Sequence, residues 1–333
     1  MESILTIPLL IGFFLTLFFI PVWINKAKKI GLIWEDMNKP GHPKNVAGSG
    51  GLIVILGFTI GVLSYIAIKT FVLKTDFTTI KIFAMLTTIL MAGIIGFIDD
   101  ILGWVHGGMS ARIRIILLLF AAIPLMVINA GQSEMMGIEF GLFYSLFLIP
   151  IGIIGASSTY NFLAGYNGLE ASQGILILSA LSFVSFNTGK SWISLVGLVM
   201  VSCLMAFYIF NKYPAKVFPG DILTYSVGAM IAVTAILGDM EKIAVFFFIP
   251  YIIETGLKLR GKLKKSSFGK VNKDGSLEMP YEKFYGIEHI AIYVLSKIKR
   301  DKKVYEREVV YAINIFQILI IALGLMLFMN PFF

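Results

Sequence analysis

The chain has 333 residues, 57% of them hydrophobic and only 14% charged, with a mean hydropathy of +0.85 and a formal net charge of +8. Soluble domains sit nearer half apolar and a quarter charged, so this composition excludes an ordinary water-soluble enzyme and describes a polytopic membrane protein. A single cysteine, Cys203, excludes an intrachain disulfide framework and a cysteine-built metal site.

A hydrocarbon core asks for about 20 apolar residues per helix, fewer where neighbours bury the run. The first apolar run, 4–24, begins almost at Met1 with no basic leader and no small-residue cleavage site, so it reads as a retained span. Further spans are expected near 51–68, 80–98, 113–128, 142–160, 172–187, 192–211, 222–237, 242–258 and 309–329. The sixth and eighth are short and rich in small residues. The expected fold is all-α, one transmembrane catalytic domain over 1–333 with about ten helices, and an even number of spans leaves both termini on one face.

Segments 25–50, 99–112, 161–171, 212–221 and 259–308 share the other face. That face holds Lys26, Lys28, Lys29, Lys39, Lys44, Arg112, Lys212, Lys216 and most basic residues of the last segment, against Lys69, Lys74, Lys81, Lys190 and Lys242 opposite. The positive-inside bias makes the first face cytoplasmic and puts both termini outside. The net charge is then a topology signal and an attraction for anionic headgroups, and it implies no nucleic acid. Within the last segment, Tyr281 to Ile298 mixes aromatic, apolar and basic residues, which suits a surface helix or a solvated basic loop equally.

The third span ends in "GFIDDILGW", 96–104, with Asp99 and Asp100 side by side. Helix C-termini carry partial negative charge, so two aspartates there are electrostatically misplaced unless a cation offsets them. Other polar residues gather at span ends on the same face. Arg112 and Arg114 enter the fourth span, and "NFLAGYNGLEASQ" after the fifth holds Asn161, Asn167 and Glu170. After the seventh span, "NKYPAKVFPGDILTY" holds Lys216, Phe218 and Asp221. Each has an ordinary structural use. Asp221 after Pro219-Gly220 suits an N-cap as well as a ligand. Asn161 suits a helix cap, and Glu170 suits a helix start through the dipole. Phe218 suits a membrane interface, and Arg112 and Arg114 suit topology. His42, His106 and His289 are scattered and do not make a histidine metal site. Together, carboxylate and amide oxygens suit a hard ion such as Mg²⁺, which takes phosphates as partners. Carboxylates for Mg²⁺ beside arginines and lysines for phosphate are the components of phosphoryl transfer.

"GFIDD", "NFLAGYNGLEA" and "VFPGD" resemble the motifs of the polyprenyl-phosphate N-acetylhexosamine-1-phosphate transferases, and "GSLEMPYEKF" is similar to the dolichyl-phosphate GlcNAc-1-phosphate transferase branch. The likeness runs from "DMNKP" through the last cytoplasmic loop. It implies transfer of GlcNAc-1-phosphate from UDP-GlcNAc to a polyprenyl or dolichyl phosphate in the cell membrane, releasing UMP and starting lipid-linked glycan assembly for N-glycosylation. It also implies Mg²⁺ (or Mn²⁺) as cofactor, held by Asn161 and Asp221. Asp99, Asp100 and Arg114 would be catalytic, and Asn167, Glu170, Phe218, Lys216 and Arg112 would contact substrate. The partners implied are UDP-N-acetylhexosamine, the lipid phosphate and membrane lipids, with a second copy of the chain as a candidate.

The sequence departs from the eukaryotic branch at three places. Gly103 and Ser158 stand where that branch has asparagines, and "LKKSSFGK" replaces a His-Arg-x-Pro-Arg motif for pyrophosphate and sugar. Lys264 or Lys265 would then supply the pyrophosphate contact. Lysine is a point charge without the bidentate fork of arginine, which favours weaker sugar selection. The muramyl-pentapeptide transferase branch is an alternative with the same chemistry. A cation-coupled transporter is an alternative of another class, to which the deep Glu254 is suited.

Overall fold

The computed structural model describes residues 3–75, 78–131, 134–135 and 138–329. Every apolar run of the sequence forms helix. In chain order these are α1 (Ile7–Ile30), α2 (Gly51–Ala67), α3 (Thr79–His106), α4 (Ala111–Val127), α5 (Ile149–Tyr160), α6 (Leu169–Asn187), α7 (Ser191–Asn211), α8 (Gly220–Gly238), α9 (Glu241–Phe247), α10 (Ile249–Arg260), α11 (Ile287–Ile298) and α12 (Glu306–Met329). Wider π-helical turns extend α2 to Leu73 and open α5 from Tyr144. Three two-stranded antiparallel hairpins complete the order: β1 (Ile33–Glu35) with β2 (Lys44–Ala47), β3 (Glu134–Met135) with β4 (Ile138–Glu139), and β5 (Lys270–Val271) with β6 (Leu277–Glu278).

Among the described residues, seven helices are long and apolar enough to cross a membrane: Ile4–Ile30, Gly51–Leu73, Thr79–Val105, Leu169–Asn187, Ser191–Asn211, Gly220–Gly238 and Glu306–Met329. Two of the other expected spans are shorter helices, Ala111–Val127 and Tyr144–Tyr160. The ninth, expected as one helix over 242–258, is broken at Phe248 into α9 and α10. Pro250 explains the break, because it brings no N–H to the helix ladder and its ring crowds the preceding turn.

The expected end of the third span also moves. Ile101, Leu102, Trp104 and Val105 carry α3 on to His106, and Gly107 in the left-handed region (φ 88°) stops it. Asp99 and Asp100 therefore lie about two turns inside the helix, beyond the reach of the terminal dipole. The electrostatic objection to them has to come from their neighbours instead.

α8 is the axis of the bundle, with 89% of its apolar window buried, whereas α1 and α12 bury only 22% and 17% and present most of their surface to lipid. α8 packs chiefly on α3 and α5. The α3–α8 contact is backbone on backbone: a Cβ on Gly96 would stand 2.3 Å from the Asp221 carbonyl oxygen. In lipid, where apolar burial contributes little to helix association, small residues of this kind set how closely helices approach. The segment 281–298 is helical only from Ile287. That helix, α11, buries Ile287, Glu288, Ala291 and Ile292 and leaves Tyr293, Val294 and Ile298 exposed, the arrangement of a surface helix.

The close crossing yields a prediction. Gly96→Ala drives a methyl into the Asp221 peptide and should lower stability by about 1–3 kcal/mol. Thermal unfolding of the purified protein in detergent measures this, and an unchanged midpoint would mean that α3 and α8 do not meet at Gly96.

Candidate active site

The inner ends of α3, α5 and α8 converge on a cavity of about 450 Å³. Its acidic end starts with Asp100, buried on α3. One carboxylate oxygen accepts from the Asp221 backbone N–H at 2.7 Å, and the other lies 3.4 Å from the Ile222 N–H. Asp100 thus satisfies the first turn of α8 from a neighbouring helix, the service an N-cap side chain normally gives its own. Gly220 makes room for it. Its φ is +73°, and a Cβ there would lie 2.2 Å from the Asp100 carboxylate. The N-cap reading of Asp221 is corrected accordingly: the capping position is Pro219, and Asp221 makes no cap bond of its own.

Asp99 is committed elsewhere. Its Oδ2 lies 2.6 Å from Arg114 Nε and accepts from the Tyr225 hydroxyl at 3.2 Å, and its Oδ1 accepts from the Met109 N–H at 2.7 Å. This sets the turn into α4 and fixes the guanidinium at the cavity wall. Asp221 faces Asp99, Asp100 and Arg114 and adds a third carboxylate to one small volume. Asn161, the C-cap residue of α5, accepts from Thr224 Oγ1 at 3.0 Å, which ties α5 to α8 beside Asp221.

The other end of the cavity is aromatic and half-polar. Phe218 is placed by strand-like pairing of its segment with β2. The Phe218 N–H donates to the Ala47 carbonyl at 2.8 Å, and the Gly50 N–H donates to the Phe218 carbonyl at 2.9 Å. Glu170, in the first turn of α6, accepts from the Gly165 N–H at 2.8 Å through Oε1, while its buried Oε2 has no hydrogen-bond partner. Tyr166 stacks near Phe268, ring centroids 6.2 Å apart. Its hydroxyl accepts from the Gly269 N–H at 3.1 Å and donates to the Ser267 carbonyl at 3.3 Å. Burial holds that phenol well above its usual pKa, so it remains a donor.

Of the residues expected from sequence, Asp99, Asp100, Arg114, Asn161, Glu170, Phe218 and Asp221 line the cavity together. Asn167, Lys216, Arg112, Lys264 and Lys265 do not. Asn167 is buried behind the wall, and the two loop lysines are exposed, with Lys265 lying 4.8 Å from the Tyr281 ring centroid. Arg112 and Lys216 are exposed too. His289 is on the buried side of α11, where desolvation lowers its pKa, and the His106 side chain lies outside the described residues. Sequence reasoning missed Trp34, Glu35 and Met37 from the first hairpin, Thr224, Tyr166 and Phe268.

Among the described residues, no three His, Cys, Asp or Glu side chains stand ready to hold a metal ion. The donors that do point into the acidic end are oxygens. With Asp100 spent on backbone N–H groups and Asp99 on Arg114, the carboxylate with neither a backbone N–H nor an ion-pair partner among the described residues is Asp221, which lies against Asp99 with the Asn161 amide nearby. That set fits Mg²⁺, which keeps several waters and completes its shell with phosphate oxygens, and it fits poorly an ion that needs a full protein cage.

Residues 82–239 match glycosyl transferase family 4. A protein of Saccharolobus solfataricus provisionally named UDP-N-acetylglucosamine–dolichyl-phosphate N-acetylglucosaminephosphotransferase is 37% identical, over 86% of this chain and 87% of the relative. The Dictyostelium discoideum enzyme of that name is 29% identical over 72% of this chain and 67% of its own length. The phospho-N-acetylmuramoyl-pentapeptide-transferase of Halalkalibacterium halodurans is 26% identical over 79% and 86%.

The geometry separates the two aspartates that touch α8. Asp100→Ala removes an interhelical cap and should cost about 1–2 kcal/mol in thermal unfolding. Asp221→Asn keeps the shape and removes one of three crowded charges, so its unfolding midpoint should hold or rise while activity is lost. Equal destabilisation by both substitutions would contradict this division of roles.

Proposed function

The chain belongs to glycosyl transferase family 4, and on that premise we propose that it transfers N-acetylglucosamine-1-phosphate from UDP-GlcNAc to a dolichyl-type polyprenyl phosphate, with Mg²⁺, at the cytoplasmic face of the cell membrane. The observation that carries this reading is that Asp99, Asp100, Asp221, Asn161 and Arg114 line one cavity, with a separate apolar cavity on the same helices α5 and α8. A second cavity of about 380 Å³ runs between α5 and α8–α10, lined by Leu148, Ile151, Ile231, Ile236, Val245 and Phe248, and it reaches Thr159, two residues before Asn161. An apolar cavity and a cluster of acidic and amide oxygens on the same pair of helices suit a substrate with an isoprenoid tail and a phosphate head.

The chemistry needs no strong base. A lipid phosphate is already ionised at neutral pH, and the difficulty is bringing it against a second anion. Asp221 and Asn161 would hold Mg²⁺, which supplies charge neutralisation of the pyrophosphate and orientation of the reacting groups. Arg114, locked by Asp99, presents a fixed cation to the same phosphates. A lipid phosphate oxygen attacks the phosphorus that bears the sugar and forms a new P–O–P bridge. The bond from that phosphorus to the UMP oxygen breaks, and UMP leaves with the electron pair. Holding donor and acceptor in line would account for much of the rate. Phe218, Trp34 and Phe268 would offer ring faces to uracil and sugar in the same cavity.

A muramyl-pentapeptide donor is the second reading, favoured by the similarity to enzymes of that name. The histidine cluster that marks that branch is absent from 259–308, which has only His289, whereas "GSLEMPYEKF" resembles the GlcNAc branch. The test presents UDP-GlcNAc, UDP-GalNAc and UDP-MurNAc-pentapeptide at equal concentration, with polyprenyl phosphate and Mg²⁺, and identifies the lipid product by mass. The GlcNAc lipid should dominate, with UMP released and all turnover lost in excess chelator. A muramyl product, or full activity in chelator, would overturn the proposal.

A further inference from the structure

Behind the aromatic end of the cavity lies a buried polar network that the mechanism above does not use. Its centre is Glu306, in the first turn of α12, 2% exposed and absent from the cavity wall. Its Oε1 accepts from the Asn167 backbone N–H at 2.8 Å and from Asn38 Nδ2 at 3.4 Å, and its Oε2 pairs with the Lys39 ammonium. Lys39 also lies 3.3 Å from Asp36 Oδ2 and 4.1 Å from the Tyr213 ring centroid. The Asn167 side chain extends the network. Its Oδ1 accepts from the Ala215 N–H at 2.7 Å, and its amide nitrogen stands 3.4 Å from both Asp36 oxygens. Asn38 Nδ2 donates as well to the Gly165 carbonyl at 3.3 Å.

These bonds join the three segments that wall the aromatic end. Asp36, Asn38 and Lys39 belong to the hairpin that supplies Glu35 and Met37 to the cavity. Gly165 and Asn167 belong to the loop that supplies Tyr166. Tyr213 and Ala215 begin the segment that supplies Phe218. No one of these segments is part of a membrane-spanning helix, and two of them are tied to the bundle near one end, Gly165 to Glu170 and Val217 to Asn211. A carboxylate on α12 that accepts from two of them directly, and reaches the third through Asn167 and Lys39, holds all three at fixed separation. Buried charge-assisted bonds are the strong class, and removal of one partner leaves the others uncompensated.

We propose that Glu306 is a positioning residue for the donor site: through Lys39, Asn38 and Asn167 it sets the spacing of the walls that receive the base and sugar of the nucleotide donor. The proposal rests on the reading of the cavity as a nucleotide-sugar site, and it separates two ends of that cavity that respond to different residues. The acidic end depends on Asp99, Asp100 and Asp221, and Glu306 touches none of them.

The experiment compares wild type, Glu306→Gln, Glu306→Asp and Lys39→Gln by steady-state kinetics and by backbone amide exchange of the purified full chain. Lys39 is partly exposed, so its variant reports on the network even if a change at Glu306 prevents folding. Glu306→Gln should raise KM for the nucleotide sugar about tenfold, with kcat and KM for polyprenyl phosphate within about twofold of wild type. Lys39→Gln should move in the same direction, and Glu306→Asp should recover part of the loss because it restores the charge. Exchange should quicken at 36–39, 165–167 and 213–218 and stay slow at 99–100 and 221–222. A fall in kcat at unchanged KM, or exchange that rises evenly through the chain, would show that Glu306 merely stabilises the fold and would overturn the proposal. If wild type itself fails to turn over, the functional reading fails, while the exchange pattern still decides whether Glu306 ties these three segments together.

Discussion

Asp100 accepts hydrogen bonds from the first turn of a helix it does not belong to, and much of the site follows from that contact. Because the cap of α8 comes from α3, Asp221 need not fold back over its own helix start and can turn its carboxylate toward the cavity. Gly220 and Gly96 are the steric conditions for this: the first admits the Asp100 carboxylate, and the second lets α3 and α8 touch at the Asp221 peptide. The bundle axis and the reactive end of the cavity are therefore one piece of construction. A change that spreads these helices apart acts on stability and chemistry together.

Crowding of charge is the counterpart of that construction. Asp99, Asp100 and Asp221 occupy one region with Arg114, and each charge has a different means of being tolerated. Asp100 has two backbone N–H groups, Asp99 has a guanidinium, a phenol and a backbone N–H, and Asp221 lies against Asp99 with neither a backbone N–H nor an ion-pair partner among the described residues. A bound substrate–cation pair would complete the balance, which suits an enzyme whose donor and acceptor are both anionic. The bland use of adjacent acids, a solvated loop start, does not apply, since Asp99 and Asp100 are both buried within a helix.

The helices were legible in the sequence because lipid demands long apolar runs and these runs seldom mean anything else. Their ends were less legible. Asp99 and Asp100 interrupt the apolar run, but Ile101, Leu102, Trp104 and Val105 carry the helix to His106, and only Pro250 betrays that the ninth run is two helices. The acidic end of the site was readable because its residues sit at span ends within short motifs. The terminal dipole of α3 does not act on Asp99 and Asp100, because the helix runs on to His106, and their crowding with Asp221 is what favours a cation. Arg114 and Arg112 looked equivalent, yet only Arg114 meets Asp99. The aromatic end was hidden because it is assembled from Trp34, Tyr166, Phe218 and Phe268, which are brought together by loop packing across more than two hundred residues of chain. Asn167 shows the same limit: its motif placed it near the site, but its bonds put it in the scaffold behind.

The central claim is that Asp221 is the carboxylate left open for a divalent cation while Asp99 and Asp100 are held by the protein. Titration of Mn²⁺ followed by electron paramagnetic resonance, on purified protein with a saturating uridine diphosphate sugar, measures this directly. The account predicts tight Mn²⁺ binding by wild type and its loss in Asp221→Asn without loss of the folded state. Undiminished Mn²⁺ binding by a folded Asp221→Asn variant would contradict it.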